Sequence, residues 1–207
     1  MITPTLRACR FDDRDALYAI CLATGDAGND AAPLYQDPNL IGHMYVGPYI
    51  ALAPDLCFVA EDDHGIAGYV CGVANTRAFE TQMEKVWWPD LRLRYPDSAA
   101  HRDRQTLDQR RCHMIHHPPR TPDDVMRSYP AHLHMNVLPR AQARGLGTRL
   151  LDHWIIAARQ QGVTAAHIGT GAANPRAMAF WQSRGFVPLL ETSETGTSGT
   201  IWHGRVF

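Results

Sequence analysis

Two glycines, Gly145 and Gly147, stand at the start of a segment with helical periodicity. A glycine has no Cβ, so a ligand can approach the backbone closely at these positions. The first N–H groups of a helix have no partner inside it, and the helix dipole favours negative charge beside them. These features are typical of a phosphate or pyrophosphate site, to which Arg140, Arg144 and Arg149 would add positive charge.

Two common phosphate motifs do not account for the glycines. No Gly-Lys-Ser/Thr follows them, which excludes a P-loop. Leu150 occupies the place of the third glycine in a dinucleotide fingerprint. For an isolated pair of glycines, an ordinary turn is the plainer alternative.

A strand and a helix must position this turn. Apolar Leu133, Met135 and Val137 alternate with the polar residues between them, which predicts a half-buried strand that Pro139 ends. Helical spacing of apolar residues then begins at about Gly145 and stops at Gly162. The junction is therefore predicted to be strand, short loop and helix.

The turn resembles the acetyl-CoA-binding motif of the GNAT N-acetyltransferases. Gln142, Gly145 and Gly147 match its Gln/Arg-x-x-Gly-x-Gly/Ala pattern, and the segment 174–186 looks like the companion motif of that family. A closer likeness covers about residues 43 to 206. Here the chain resembles the acetyltransferase-like domain at the C-terminal end of the O-GlcNAc hydrolase and its stand-alone bacterial relatives. That likeness is carried by the segments 43–49, 57–62, 65–70 and 87–89.

Length and composition are those of one soluble globular domain over residues 1–207, of which 45% are hydrophobic and 20% charged. A formal charge of −1 gives no general attraction to nucleic acid or to an anionic membrane. There is no long apolar run and no basic-then-apolar leader, so we expect a cytoplasmic location. The five cysteines are scattered and odd in number, which indicates buried thiols.

The predicted fold class is α/β (α+β). We expect a mixed, mostly antiparallel central sheet of about seven strands, with helices on both faces. The predicted order is β-α-α-β-β, a helical insertion at about 76–128, then β-α-β-α-β-β. Within the insertion, 90–94 and 99–115 are predicted to be helical, and Trp87 and Trp88 to pack it onto the sheet. The resemblance implies the GNAT fold.

We expect no metal site. The segment 112–117 has a cysteine and three histidines at zinc-ligand spacing, but no second ligand cluster is apparent in the sequence. The acidic residues Glu61, Asp62 and Asp63 fit a solvated hairpin turn that ends at Gly65.

The resemblance implies that acetyl-CoA is held so that an amine attacks its thioester directly. The implied cofactor contacts are Val137, Leu138, Gln142, Ala143, Arg144, Gly145, Leu146, Gly147, Thr148 and Asn174. For Asn174, a plain helix N-cap is an equally good interpretation.

Two of the three candidate catalytic positions depart from the family pattern. Trp181 stands where the family usually has a tyrosine, and indole cannot protonate a thiolate as a phenol can. Asn136 replaces an acidic residue of the O-GlcNAc hydrolase relatives. His134 is the remaining candidate base, with an ordinary pKa near neutrality. A structural histidine and a water molecule are the alternatives.

The loop 25–39 and the residues after it would form a wall of the acceptor site in this fold. Tyr45 and Tyr49 are therefore candidate substrate contacts, and simple packing is the alternative. The first function hypothesis is N-acetyl transfer to a primary amine of a small molecule or peptide. The second is a catalytically weak acetyl-CoA-binding regulatory or scaffold protein, and the third is transfer from a longer acyl-CoA. The sequence leaves open whether the protein forms a homodimer.

Overall fold

The computed structural model describes residues 3–98, 104–192 and 199–207. The strands are β1 Thr5–Ala8, β2 Cys57–Asp62, β3 Gly65–Val73, β4 Ala131–Val137, β5 Ala165–Gly171, β6 Val187–Thr192 and β7 Thr200–Val206. The helices are α1 Arg14–Ala23, α2 Leu40–Tyr45, α3 Gly47–Leu52, α4 Thr76–Val86, α5 Trp88–Arg94, α6 Leu107–His116, α7 Asp123–Ser128, α8 Leu146–Gln160 and α9 Pro175–Ser183.

All seven strands join one sheet in the order β1-β2-β3-β4-β5-β7-β6. The pairing of β4 with β5 is parallel, and every other recorded pairing is antiparallel. Helix α8 connects β4 to β5, and parallel neighbouring strands require a crossover connection of this kind. The predicted fold class, a mixed and mostly antiparallel sheet of seven strands, is confirmed.

The two faces of the sheet carry separate hydrophobic cores. Helices α1 to α6 pack against one face, which we call the insertion face, through residues such as Leu17, Phe79 and Ile115. Helix α8 covers the opposite face, the α8 face, where Leu150 and Trp154 are fully buried. Alternation along β4 sends Leu133 to the α8 face and leaves the neighbouring histidines on the insertion face.

The turn between β2 and β3 forms the predicted hairpin, and Gly65 has the expected positive φ of 89°. Two of its three acidic residues, Glu61 and Asp62, are paired rather than merely solvated. Glu61 accepts a hydrogen bond from Arg7 at 2.7 Å, and Asp62 forms an ion pair with Arg140. No metal cluster is found at this hairpin among the described residues.

The insertion is helical, as predicted, but it contains more helix than expected. Helices α4 and α7 flank the two segments that the pattern indicated, and α6 begins at Leu107. The part of the predicted helix over 99–103 lies outside the described residues. Trp88 is buried in the insertion-face core, and the Trp87 indole donates to the His43 carbonyl at 3.0 Å. Both tryptophans therefore pack the insertion onto the domain.

The predicted second helix is divided into α2 and α3 at Val46, whose backbone is not helical, with Pro48 in the first turn of α3.

All five cysteines are free, as expected. In the part of the chain that the structure describes, no helix has the length and apolar character needed to cross a membrane.

Candidate active site

A gap opens in the middle of the sheet between β4 and β5. The two strands pair only at Ala131 with Ala166 and at His132 with His167. Beyond these pairs, residues 133–137 stay bonded to β3 on one side, and residues 168–171 stay bonded to β7. We call the space between 133–137 and 168–171 the strand gap. One edge of the gap is the unpaired side of β4.

The register fixes which backbone groups of β4 face the strand gap. The Leu138 N–H donates to the Ala67 carbonyl at 2.9 Å, which continues the ladder with β3. In an antiparallel pair, the backbone groups of successive residues point alternately toward and away from the partner strand. The N–H groups of Asn136 and His134 therefore also point toward β3, while those of Met135 and Val137 point into the strand gap. The Leu138 carbonyl accepts from Ala141. The backbone of Leu138, a predicted cofactor contact, is therefore already engaged, and the available donors are Met135 and Val137.

The loop after β4 lies at the mouth of this gap. Ala143 and Gly145 both have positive φ, 59° and 75°, and Arg144 between them is exposed. Gly145 precedes α8, and the first helical hydrogen bond runs from Arg149 N–H to Gly145 O at 3.1 Å. The N–H groups of Leu146, Gly147 and Thr148 thus begin the helix without partners inside it. They lie at the positive end of the α8 dipole, which favours an anion, and the phosphate site at this position stays a prediction.

Side chains hold the loop in place. The Gln142 amide donates to the Val137 carbonyl at 2.7 Å and so ties the loop back to the end of β4. Arg140 is paired with Asp62, and Arg149 donates to the Pro4 carbonyl at 2.9 Å, so both cations brace neighbouring segments. Arg184 donates to the Thr148 hydroxyl at 3.3 Å. It adds positive charge beside the start of α8.

Helix α9 closes the α8 side of the site. Asn174 caps it by accepting from the Ala177 N–H at 3.0 Å, so the cap interpretation is confirmed. Trp181 is 6% exposed and packs edge-on against Phe180 and Phe186, with ring centroids 5.1 Å apart in each pair. Phe180 reaches the loop: a Cβ built on Gly147 would lie 3.3 Å from its ring. The glycine thus keeps α8 and α9 close together.

His134 lies on the insertion face of β4. Burial lowers the pKa of its imidazole to about 4, well below the near-neutral value expected from the sequence. Its Nε2 is buried and has no hydrogen-bond partner among the described residues. The ring is therefore neutral at physiological pH, with one polar atom unsatisfied.

Asn136, the next polar residue of β4 on this face, donates its side-chain amide to the Thr24 hydroxyl at the end of α1. The contact joins α1 to the central strand. An amide does not titrate in the physiological range, so Asn136 supplies a hydrogen bond here and no base.

The two predicted acceptor-site tyrosines differ in position. Tyr45 stacks on the His134 ring, with centroids 5.8 Å apart and planes 25° apart. Tyr49 is 8% exposed, and its hydroxyl is 2.6 Å from His132 Nε2 inside the core. The position of Tyr49 supports the packing alternative, whereas Tyr45 lies beside the candidate catalytic strand.

Three potential metal ligands form a cluster in the insertion. One ligand atom each of Asp97, His113 and His117 lies within 4.8 Å of the others. The sequence indicated the histidines but not the carboxylate, because Asp97 lies in another segment. All three are at least partly exposed, and the carboxylate accepts from both rings at 2.9 and 2.7 Å. These hydrogen bonds account for the contact without an ion, so the absence of a metal stays a prediction.

Three residues at the site were not predicted from the sequence. Met135 was assigned to the core by its side chain, and the direction of its N–H depends on the register with β3, which the sequence does not show. Arg184 follows α9 and lies within the companion segment 174–186, at a position that the motif does not specify. Arg111 contacts Tyr35 and Tyr45 from the insertion, and no sequence signal places it there.

A family model and solved structures of known proteins are similar to this chain over most of its length. A model of the Acetyltransferase (GNAT) family matches residues 26–186. The crystal structure of SsHAT is similar with a TM-score of 0.87 and 35% identity, covering 99% of this chain and 98% of that one. The structure of yncA, a putative acetyltransferase from Salmonella typhimurium with its cofactor acetyl-CoA, has a TM-score of 0.56 and 17% identity over 99% and 94% of the chains.

Two curated relatives are the Protein O-GlcNAcases of Rattus norvegicus and Mus musculus. Each is 22% identical over 183 residues, which cover 87% of this chain and 20% of the relative. The chain thus spans about one fifth of the length of these relatives.

Proposed function

The chain belongs to the GNAT acetyltransferase family, whose cofactor is acetyl-CoA. On that premise, we propose that it transfers the acetyl group to a primary amine of a small molecule or peptide by direct attack. The observation that carries this proposal is that two sets of backbone N–H donors, at the start of α8 and on the open edge of β4, are linked by one short loop. The free N–H groups at the start of α8 adjoin the loop that leaves the open edge of β4.

The residues present fit acetyl-CoA. The N–H groups of Leu146, Gly147 and Thr148 suit the pyrophosphate, and Arg184 adds a cation beside them. The N–H groups of Met135 and Val137 face the strand gap, where an extended pantetheine chain could add to the edge of β4. Gly147 gives no side chain to obstruct that path. Bound acetyl-CoA supplies the thioester as acetyl donor.

In the proposed mechanism, the backbone of β4 polarises the thioester carbonyl through an N–H that no other strand uses. Such fixed donors need no reorganisation during the reaction. The neutral His134 would accept a hydrogen bond at Nε2 from the attacking amine and orient its lone pair. With a pKa of about 4, it is a weak proton acceptor, so solvent takes the proton finally. Water also protonates the departing sulfur, because Trp181 offers no acidic O–H.

The same observations support a second candidate, a catalytically weak protein that binds acetyl-CoA. His134 is a poor base, Asn136 is not a base, and Trp181 is packed among aromatic rings. Each of these leaves the cofactor site intact. The two candidates therefore share a binding prediction and differ in turnover.

The proposal is tested first by binding. Free CoA and acetyl-CoA should both raise the melting temperature, because a ligand that binds only the folded state stabilises it. Calorimetry should show similar affinity for both, since the phosphates and pantetheine are common to them. Absence of heat and of a thermal shift at millimolar ligand would refute the cofactor site.

Turnover is tested by thiol release from acetyl-CoA over a panel of primary amines, with a matched series of longer acyl-CoA donors. We expect amine-dependent release that is fastest with the acetyl donor. Saturable CoA binding without release above the uncatalysed rate for any amine would favour the binding protein.

A further inference from the structure

Arg111 of α6 places a positive charge on the insertion face. Its Nε donates to the Tyr35 hydroxyl at 3.0 Å, and its Nη1 donates to the Tyr45 hydroxyl at 3.0 Å and to Met114 Sδ at 3.1 Å. Its Cζ lies 5.4 Å from the centre of the Tyr45 ring. Every one of these partners is neutral. No carboxylate of a described residue lies within ion-pair distance of this guanidinium.

The cluster has more donors than acceptors. The hydroxyls of Tyr35 and Tyr45 each accept from Arg111, and neither O–H has an acceptor among the described residues. The Nη2 group of Arg111 likewise makes no hydrogen bond to a described residue. A guanidinium remains charged at any physiological pH, and desolvating it without a counter-charge is unfavourable. One charged N–H group and two phenol O–H groups are therefore unused by the described residues, and we call this set the candidate anion receptor, or the receptor for short.

The receptor is joined to the proposed transfer site by one ring. Tyr45 stacks on His134, whose buried Nε2 has no partner among the described residues, and the N–H of the next residue of β4 faces the strand gap. An acceptor whose amine lies beside His134 would extend its remaining part along Tyr45 toward Arg111. The phosphates of CoA do not compete for this position, because the start of α8 belongs to the opposite face.

We propose that Arg111, Tyr35 and Tyr45 bind the carboxylate of the acceptor, so that the substrate is an amino carboxylate. This inference rests on the proposed function and adds the chemical class of its substrate. A free amino acid and a peptide with an accessible terminal carboxylate are two sources of this chemistry. The planar guanidinium fork favours a carboxylate, since both groups are flat and form parallel hydrogen bonds.

Matched pairs of amines provide the test. Straight-chain amino acids with different amine-to-carboxylate spacing are compared with their primary amides, and short peptides with their C-terminal amides, by thiol release from acetyl-CoA. Hydrogen bonds to a charged group contribute roughly 1.5–3 kcal/mol, so kcat/KM should be about 10- to 100-fold higher for the acid of the best pair. Equal rates for acids and amides, or a preference for phosphate-bearing amines, would overturn the carboxylate assignment.

Variants identify the residues responsible. Arg111→Gln should raise KM for acids, leave kcat nearly unchanged and abolish the difference between acid and amide. Tyr35→Phe removes one donor and should reduce the difference only in part. Arg120→Gln makes the same change in an insertion arginine whose side chain is 72% exposed, and should retain full discrimination. A folded Arg111→Gln enzyme with wild-type discrimination would exclude the receptor.

A binding measurement separates this inference from the proposed function. In the presence of saturating CoA, amino carboxylates should bind the wild-type protein in calorimetry and should not bind Arg111→Gln. That result supports the receptor even if no amine is acetylated. No binding of any acid to the CoA-loaded wild-type protein would overturn the receptor, whatever turnover the amine panel shows.

Discussion

The two sides of the candidate site are built from different parts of the chain and by different means. On the cofactor side, one continuous segment from β4 to α8 supplies the loop and its free N–H groups. On the acceptor side, Tyr35, Arg111 and His134 come from three distant segments and meet through side chains. Backbone geometry therefore defines the cofactor side, whereas side-chain identity defines the acceptor side. A single motif can encode the first but not the second.

Gly147→Glu should have the largest effect, and it should affect the cofactor side alone. It puts a negative charge at the start of α8 and a side chain toward Phe180. Loss of two hydrogen bonds to a phosphate, at roughly 1.5–3 kcal/mol each, should weaken CoA binding on the order of 100-fold or more. Calorimetry measures the affinity.

The matched control is Gln160→Glu, which adds the same charge at the far end of α8, where the residue is exposed. It should bind CoA like the wild type. Circular dichroism shows whether Gly147→Glu is folded. A folded Gly147→Glu protein with unchanged CoA affinity would remove the loop from the cofactor site.

His134→Ala should affect the acceptor side and leave CoA binding unchanged. Loss of the hydrogen bond to the amine should lower kcat on the order of 100-fold. Burial lowers the pKa of His134 to about 4, so its protonated form is scarce above pH 5. The loss should therefore be uniform from pH 6 to 9. A loss confined to pH values above 7 would instead indicate a base with a near-neutral pKa, because such a base is protonated and inactive below its pKa.

The smallest effect is expected from removing a helix N-cap, and the site offers one such cap on the cofactor side and one on the acceptor side. Asn174→Ala removes the cap of α9, and Thr106→Ala removes the cap of α6, where Thr106 accepts from the Gln109 N–H at 3.2 Å. Each should destabilise the protein by about 1 kcal/mol and lower the melting temperature by about 2–4 °C.

Only Asn174→Ala should also weaken CoA binding, if its side chain contacts the cofactor as the family resemblance implies. Thr106→Ala should leave that affinity unchanged. Equal CoA affinity in both variants would restrict Asn174 to its capping role.

Much of the fold follows from sequence patterns that act locally. Alternation along β4, the turn at Gly65 and the cap at Asn174 were predicted and are present. Each depends on residues within a few positions of one another, which is why periodicity and turn chemistry suffice. The division between α2 and α3 at Val46 and the helices α4 and α7 were not predicted, since tertiary packing decides where such short helices begin.

The sequence by itself determined the strand–loop–helix unit with its two glycines, because the chemistry of that unit lies in the backbone of contiguous residues. Only the tertiary structure decided which N–H groups face the strand gap, since that depends on the register with β3. It also decided the pKa of His134, which burial under Tyr45 and its neighbours sets. Arg111 reaches the site only because the insertion folds back over the sheet, and contacts between distant segments leave no local pattern in the sequence.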